Sequence, residues 1–169
     1  MNWELLFDIA PYNWHAIGTT IFCGTIIGLE RQLRGKPVGI RTSSLITLGT
    51  YLFVATAFML KGNVIDPSRV VGQVITGIGF LGAGVMLAKD GAVVGVTSAA
   101  TIWILAAVGV MTAADFLLPS IKISILVVAI LYGVDILEDR TKTFSRGVHQ
   151  RVKKFSGDRR APVKPDLPR

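Results

Sequence analysis

The sequence predicts an all-α fold: an integral membrane bundle of five transmembrane helices, with the N-terminus outside and the C-terminus inside. Three observations carry this. Only 17% of the 169 residues are charged, against about 25% in an ordinary soluble domain. The apolar residues are gathered into five long, uninterrupted runs. The charge is also segregated: residues 1–139 hold 8 Lys/Arg against 9 Asp/Glu, whereas residues 140–169 hold 10 against 2. The basic character therefore belongs to a tail. A nucleic-acid-binding domain would carry its cations on a folded face, so no nucleic acid is expected as a partner. Cys23, the single cysteine, excludes an intrachain disulfide and a cysteine-based zinc site.

The chain begins with an N-terminal interfacial segment, residues 1–13. Trp3, Leu6 and Phe7 fall at i, i+3 and i+4, and Pro11 follows, which fits a short helix lying in the headgroup region. Its early charges are Glu4 and Asp8, unlike the basic start of a signal peptide. A transmembrane domain follows over residues 14–139. Its apolar runs cover residues 14–29, 42–60, 70–88, 96–114 and 120–137, close to the ~17–25 residues that span a hydrocarbon core as a helix. They are continuous rather than alternating, which disfavours a membrane β-barrel. Gly35-Lys36-Pro37 breaks the first link. Asp66-Pro67-Ser68 reads as an N-cap with proline at the first helical position of the third span, and Pro119-Ser120 opens the fifth in a similar way.

Orientation follows from basic residues on alternate sides. With five spans, one side collects 15 Lys/Arg and the other 3, namely Lys61, Arg69 and Lys122. The richer side is the cytoplasmic one. Residues 140–169 form a basic, proline-bearing, disordered cytoplasmic tail, too polar to bury a core and suited to anionic headgroups.

Small residues let helices approach closely in lipid. Span one offers Thr20, Gly24 and Gly28. Span three offers Gly72, Thr76, Gly79 and Ala83, with Gln73, Gly77 and Gly84 alongside, and span four offers Gly95, Ala99, Ala106 and Gly109. This places spans one, three and four at the centre, with the bulkier spans two and five facing lipid. Residues 77–82 fit the letters G-x-G-x-x-G through Gly77, Gly79 and Gly82. They lie inside an apolar span with no preceding strand and no acidic residue about 20 positions on, so the dinucleotide reading fails.

No ionisable residue lies at the middle of a span. Glu30 closes span one on the inner side, and Asp135 lies near the inner end of span five. Glu30 either pairs locally with Arg34 at i+4 or joins Asp135 and Arg31 or Arg41 in a polar cluster between helices. Gln73, inside an early turn of span three, is expected to hydrogen-bond between helices. Thr97, Ser98 and Thr101 open span four, where hydroxyls either bond back to helix carbonyls or line a polar pathway. His15 and His149 flank opposite sides, which argues against a shared metal site. No nucleophile–base arrangement appears, so neither an enzyme, a cofactor nor a catalytic residue is expected.

These motifs resemble the MgtC/SapB family of membrane proteins. The resemblance is carried by Gly28-Leu29-Glu30-Arg31-Gln32 with Gly39-Ile40-Arg41-Thr42, and by Asp66-Pro67-Ser68-Arg69 with Gln73. The glycine-rich stretch from Gly77 to Gly84 and Gly95-Val96-Thr97-Ser98-Ala99-Ala100-Thr101-Ile102-Trp103 complete it. It implies a bacterial, multi-pass protein of the cytoplasmic (inner) membrane with about five spans. Some members are linked to growth at low magnesium and survival inside host cells, and some restrain the membrane ATP synthase. Many carry a folded cytoplasmic domain after the last span; here a basic tail stands instead, which reads as a short form. The position matching Thr97 is an Asn tied to partner binding in the virulence-associated branch, and the threonine weakens that contact here. The resemblance carries over Glu30, Arg31, Arg41, Asp66, Arg69, Gln73 and the span-three glycines as a functional or packing core. The expected function is a non-enzymatic modulator of a membrane complex, such as the ATP synthase, linked to magnesium or ion homeostasis and stress or virulence adaptation. The alternative is a small ion transporter or channel, with Mg²⁺ as the candidate ion. A homo-oligomer is compatible with either.

Overall fold

The computed structural model describes residues 7–60, 66–89 and 92–140. They form five helices and one hairpin in the order α1 (Trp14–Leu33), α2 (Ile40–Met59), α3 (Pro67–Gly84), β1 (Leu87–Lys89), β2 (Ala92–Val94), α4 (Val96–Ala113) and α5 (Leu117–Arg140). The all-helical class expected from the hydrophobic runs is the class observed. Residues 1–6 of the N-terminal interfacial segment and residues 141–169 of the basic tail lie outside the described residues.

Local chemistry explains the helix boundaries. Asn13 caps α1, its side-chain oxygen accepting the His15 N–H at 2.8 Å. Asp66 caps α3 in the same way, accepting the Ser68 N–H at 2.9 Å, with Pro67 at the first helical position. These caps satisfy N–H groups that a helix start leaves without partners. Helix α1 runs four residues past the first apolar run and stops before Gly35, which takes a left-handed φ of 62°. Glu30 and Arg31 are therefore helical residues rather than loop residues.

The third apolar run does not remain helical throughout. α3 ends at Gly84, and Leu87 and Ala88 pair antiparallel with Val94 and Val93. Glycines at 82 and 84 weaken the helix end, while the β-branched valines suit a strand. Gly95 then joins the hairpin to α4 at φ 93°, where a Cβ would strike the Val85 carbonyl oxygen.

Packing corrects the expected helix arrangement. α2, expected at the lipid-facing edge, is central: it buries Ser43, Ile46, Thr47, Thr50, Tyr51, Val54, Ala55 and Ala57. α3, expected at the centre, buries only Ile78 and Gly82 and leans on α4 at its Gly82 end. The glycines decide this. A Cβ on Gly28 would lie 2.7 Å from Ile40 Cα, and one on Gly24 2.8 Å from Ser44 Cα, so α1 seats directly on the α2 backbone. A Cβ on Gly109 would lie 2.6 Å from the Thr47 carbonyl oxygen, which seats α4 on the other side of α2. Nothing lies within 4 Å of a Cβ at Gly72, Gly77, Gly79 or Gly84. A glycine stripe alone does not say which stripe finds a partner.

The distribution of polarity is that of a protein in lipid. Phe53, Phe80 and Leu118 are 69%, 82% and 70% exposed, whereas Thr20, Ser43, Thr47, Ser98, Thr112, Ser120 and Ser124 are buried. Many of the buried hydroxyls return to their own helix, as with Thr20 to the Ala16 carbonyl at 2.7 Å and Thr101 to that of Thr97 at 2.8 Å. That back-bonding lets a hydroxyl sit away from water. α2, α4 and α5 are each long and apolar enough to cross a membrane.

Candidate functional site: a charge cluster between three helices

The last turn of α1, the first turn of α4 and the end of α5 meet at one end of the bundle. Glu30 and Arg31 are only 7% and 3% exposed there. Arg31 Nη1 lies 3.7 Å from Glu30 Oε2, and Arg34 Nε lies 3.2 Å from Glu30 Oε1. Arg34 Nη1 reaches Asp135 Oδ2 on α5 at 2.8 Å. Its guanidinium stands over the Tyr132 ring at 4.8 Å from the centroid. Arg31 Nη2 donates to Ser98 Oγ on α4 at 3.1 Å. Two acids and two arginines thus form a neutral set that ties α1 to α4 and α5. Arg31 and Arg34 lie where the α1 dipole favours positive charge.

Both Glu30 oxygens and Arg31 Nε lack a directed hydrogen bond among the described residues. The Glu30–Arg34 approach is close but off line, so charge rather than hydrogen-bond geometry holds it. Such a set is expensive to break, because removing one member leaves the others buried and uncompensated. One helical turn further into the bundle, Ile27, Ile102 and Leu105 are fully or almost fully buried in a single apolar cluster. That layer separates the charges from the buried hydroxyls of Ser124, Ser120 and Thr112 nearer the opposite end.

The local Glu30–Arg34 pair is present, and an interhelical cluster forms around it, but Asp135 meets Arg34 rather than Arg31 or Arg41. Arg34's spacing of four from Glu30 was the available signal. Its reach to Asp135 depends on how α1 and α5 pack. Ser98 is Arg31's acceptor, a role that its place in T-S-A-A-T does not disclose. Arg41 stays outside the cluster, exposed at the start of α2. Thr97 is exposed, and its carbonyl accepts from Thr101.

Asp66, Arg69 and Gln73 lie at the beginning of α3, far along the chain from the cluster. Hydrogen bonds from Ser68, with help from the Arg69 charge, hold the Asp66 carboxyl below its ordinary pKa. Gln73 is exposed and has no hydrogen-bond partner among the described residues; it lines a groove between α2 and α3. Of the glycines singled out in the sequence, Gly24 and Gly28 lie at close helix approaches. Gly82 lies at ordinary distance from Ala99, and Gly77, Gly79 and Gly84 face open space.

An apolar exterior, a hydroxyl-rich interior and a charge set buried at one end define a helical membrane protein. The chain belongs to the MgtC family, whose profile matches residues 17–140 and so takes in every member of the cluster. It is 43% identical over 109 residues to "Putative magnesium transporter YhiD" of Escherichia coli (strain K12), covering 60% of this chain and 50% of that protein. It is 35% identical over 124 residues to "Protein MgtC" of Brucella abortus (strain 2308), covering 69% and 52%. It is 36% identical over 101 residues to "Protein MgtC" of Salmonella typhimurium (strain 14028s / SGSC 2262), covering 60% and 42%. The chain spans about half the length of these curated relatives. No solved structure matches it.

Proposed function

We propose that the chain is a five-span protein of the inner membrane, N-terminus out and C-terminus in, that modulates another membrane complex linked to magnesium homeostasis without catalysing a reaction. The observation that carries this reading is the charge cluster, in which each acid already faces an arginine. Mg²⁺ is best served by one or two carboxylates that leave room for retained waters. Glu30 instead faces Arg31 and Arg34, and Asp135 faces Arg34. Beside them Ile27, Ile102 and Leu105 are buried in one apolar cluster, which offers a hydrated ion no polar partner. The cluster is better suited to fixing three helices in one arrangement, which a partner could then read. The membrane ATP synthase, suggested by the family resemblance, is a candidate partner.

A second reading, a magnesium transporter, is favoured by the name of the Escherichia coli relative. Liposomes loaded with a Mg²⁺ dye distinguish the two. The modulator reading expects influx no faster than in protein-free vesicles, together with recovery of a defined membrane complex after cross-linking in native membranes. Robust flux abolished by Glu30→Gln would overturn it. The orientation is tested by reporters fused after Arg169, which should be active only in the cytoplasm.

A further inference from the structure

A groove of about 610 Å³ runs along the outside of the bundle between α2 and α3. It is walled by Leu45, Gly49 and Phe53 on α2 and by Val74, Gly77 and Leu81 on α3. α3 packs more on α4 than on α2, with Ile78 and Ile46 in the shared core at the floor of the groove. Gly49 and Gly77 leave the walls thin, with nothing within 4 Å of a Cβ at either position. We propose that this groove holds an acyl chain of an anionic phospholipid, whose headgroup is recognised by Arg41.

Length and apolar lining suit a hydrocarbon chain. From Thr42 to Phe53 the groove follows roughly 17 Å of helix at 1.5 Å per residue. Its lining is largely apolar, from Leu45, Ile46 and Phe53 on α2 to Val74, Ile78 and Leu81 on α3. An extended lipid tail can lie along that length against both walls. The volume also lies within the ~300–1,000 Å³ range of ligand pockets.

Charge gives the headgroup its sign. Arg41 is exposed one residue before Thr42, at the end of the groove, and one turn from Leu45. It makes no ion pair among the described residues, in contrast to Arg31 and Arg34, whose charges are already matched. A phosphodiester bearing net negative charge would sit beside it with its tail in the groove. The site lies apart from the charge cluster, and the inference stands whether or not the protein modulates a partner.

The test uses the full chain in vesicles of phosphatidylethanolamine with a trace of phosphatidylglycerol carrying a photoreactive acyl chain. Labelled residues are then mapped by peptide mass spectrometry. Labelling should concentrate on the α2 and α3 walls and exceed that from a phosphatidylethanolamine probe with the same chain. Arg41→Gln should reduce this headgroup preference about fivefold, the effect of one charge near a membrane surface. Gly77→Leu should fill the groove and remove most wall labelling, while incidental labelling of α5 stays as in the parent and reports that the fold is intact. Equal labelling of α5 and the groove walls would overturn the proposal, as would equal labelling by the two headgroups. Exclusion of both probes by a second copy of the chain cross-linked across the groove would overturn it as well.

Discussion

Replacing Gly28 by alanine adds one methyl group where α1 seats on the α2 backbone. The new Cβ would lie 2.7 Å from Ile40 Cα and 2.9 Å from both Ile40 N and Ser43 Cβ. Two of these neighbours are backbone atoms and cannot swing aside. Carbon atoms rest at about 3.5–4.0 Å, so the two helices must part by about 1 Å. Overpacking of this kind costs about 1–3 kcal/mol, a loss of about five- to 150-fold in the folded-to-unfolded ratio. Gly77→Ala is the matched control, with the same added methyl and nothing within 4 Å of it. The assay is equilibrium unfolding of the full chain in mixed micelles titrated with SDS, followed by tryptophan fluorescence. Gly28→Ala should shift the transition to lower SDS, and Gly77→Ala should leave it in place or raise it slightly. If both variants unfold together, the direct seating of α1 on α2 is wrong.

Other perturbations test separate parts of the structure. Glu30→Gln leaves two guanidinium groups with one partly exposed acid, and should cost about 3–5 kcal/mol in the same assay. Asp135→Asn should cost less, because Asp135 is 31% exposed. Gly95→Ala meets both a left-handed φ of 93° and the Val85 carbonyl oxygen. It should weaken the hairpin–α4 joint by more than the ~1–2 kcal/mol of the dihedral cost alone, seen as faster amide exchange at the start of α4. The Asp66 carboxyl is held below its ordinary pKa of 3.8 by Ser68 and Arg69. Its contribution to α3 is therefore complete above pH 3.8 and is lost as the pH falls through the lowered value. The Ser68 amide should stay protected across neutral and mildly acidic pH and lose its protection only below that; loss already at pH 5 would refute the capping role.

The sequence by itself determined the solvent, the helices and most of their boundaries. Long apolar runs cannot be covered by a chain with so few polar residues, and the Asp66-Pro67 start is chemistry within one turn. The i, i+4 spacing likewise places Glu30 beside Arg34 in any helix. Tertiary structure decided what depends on which faces meet. It chose the Gly24–Gly28 stripe over the denser glycines of α3, put α2 at the centre, ended α3 early in a hairpin, and brought Ser98 and Asp135 to Arg31 and Arg34. Small residues permit close approach on any face that carries them. Which face is used is a property of the whole packed bundle, because each helix has several compatible stripes and only one arrangement satisfies them together.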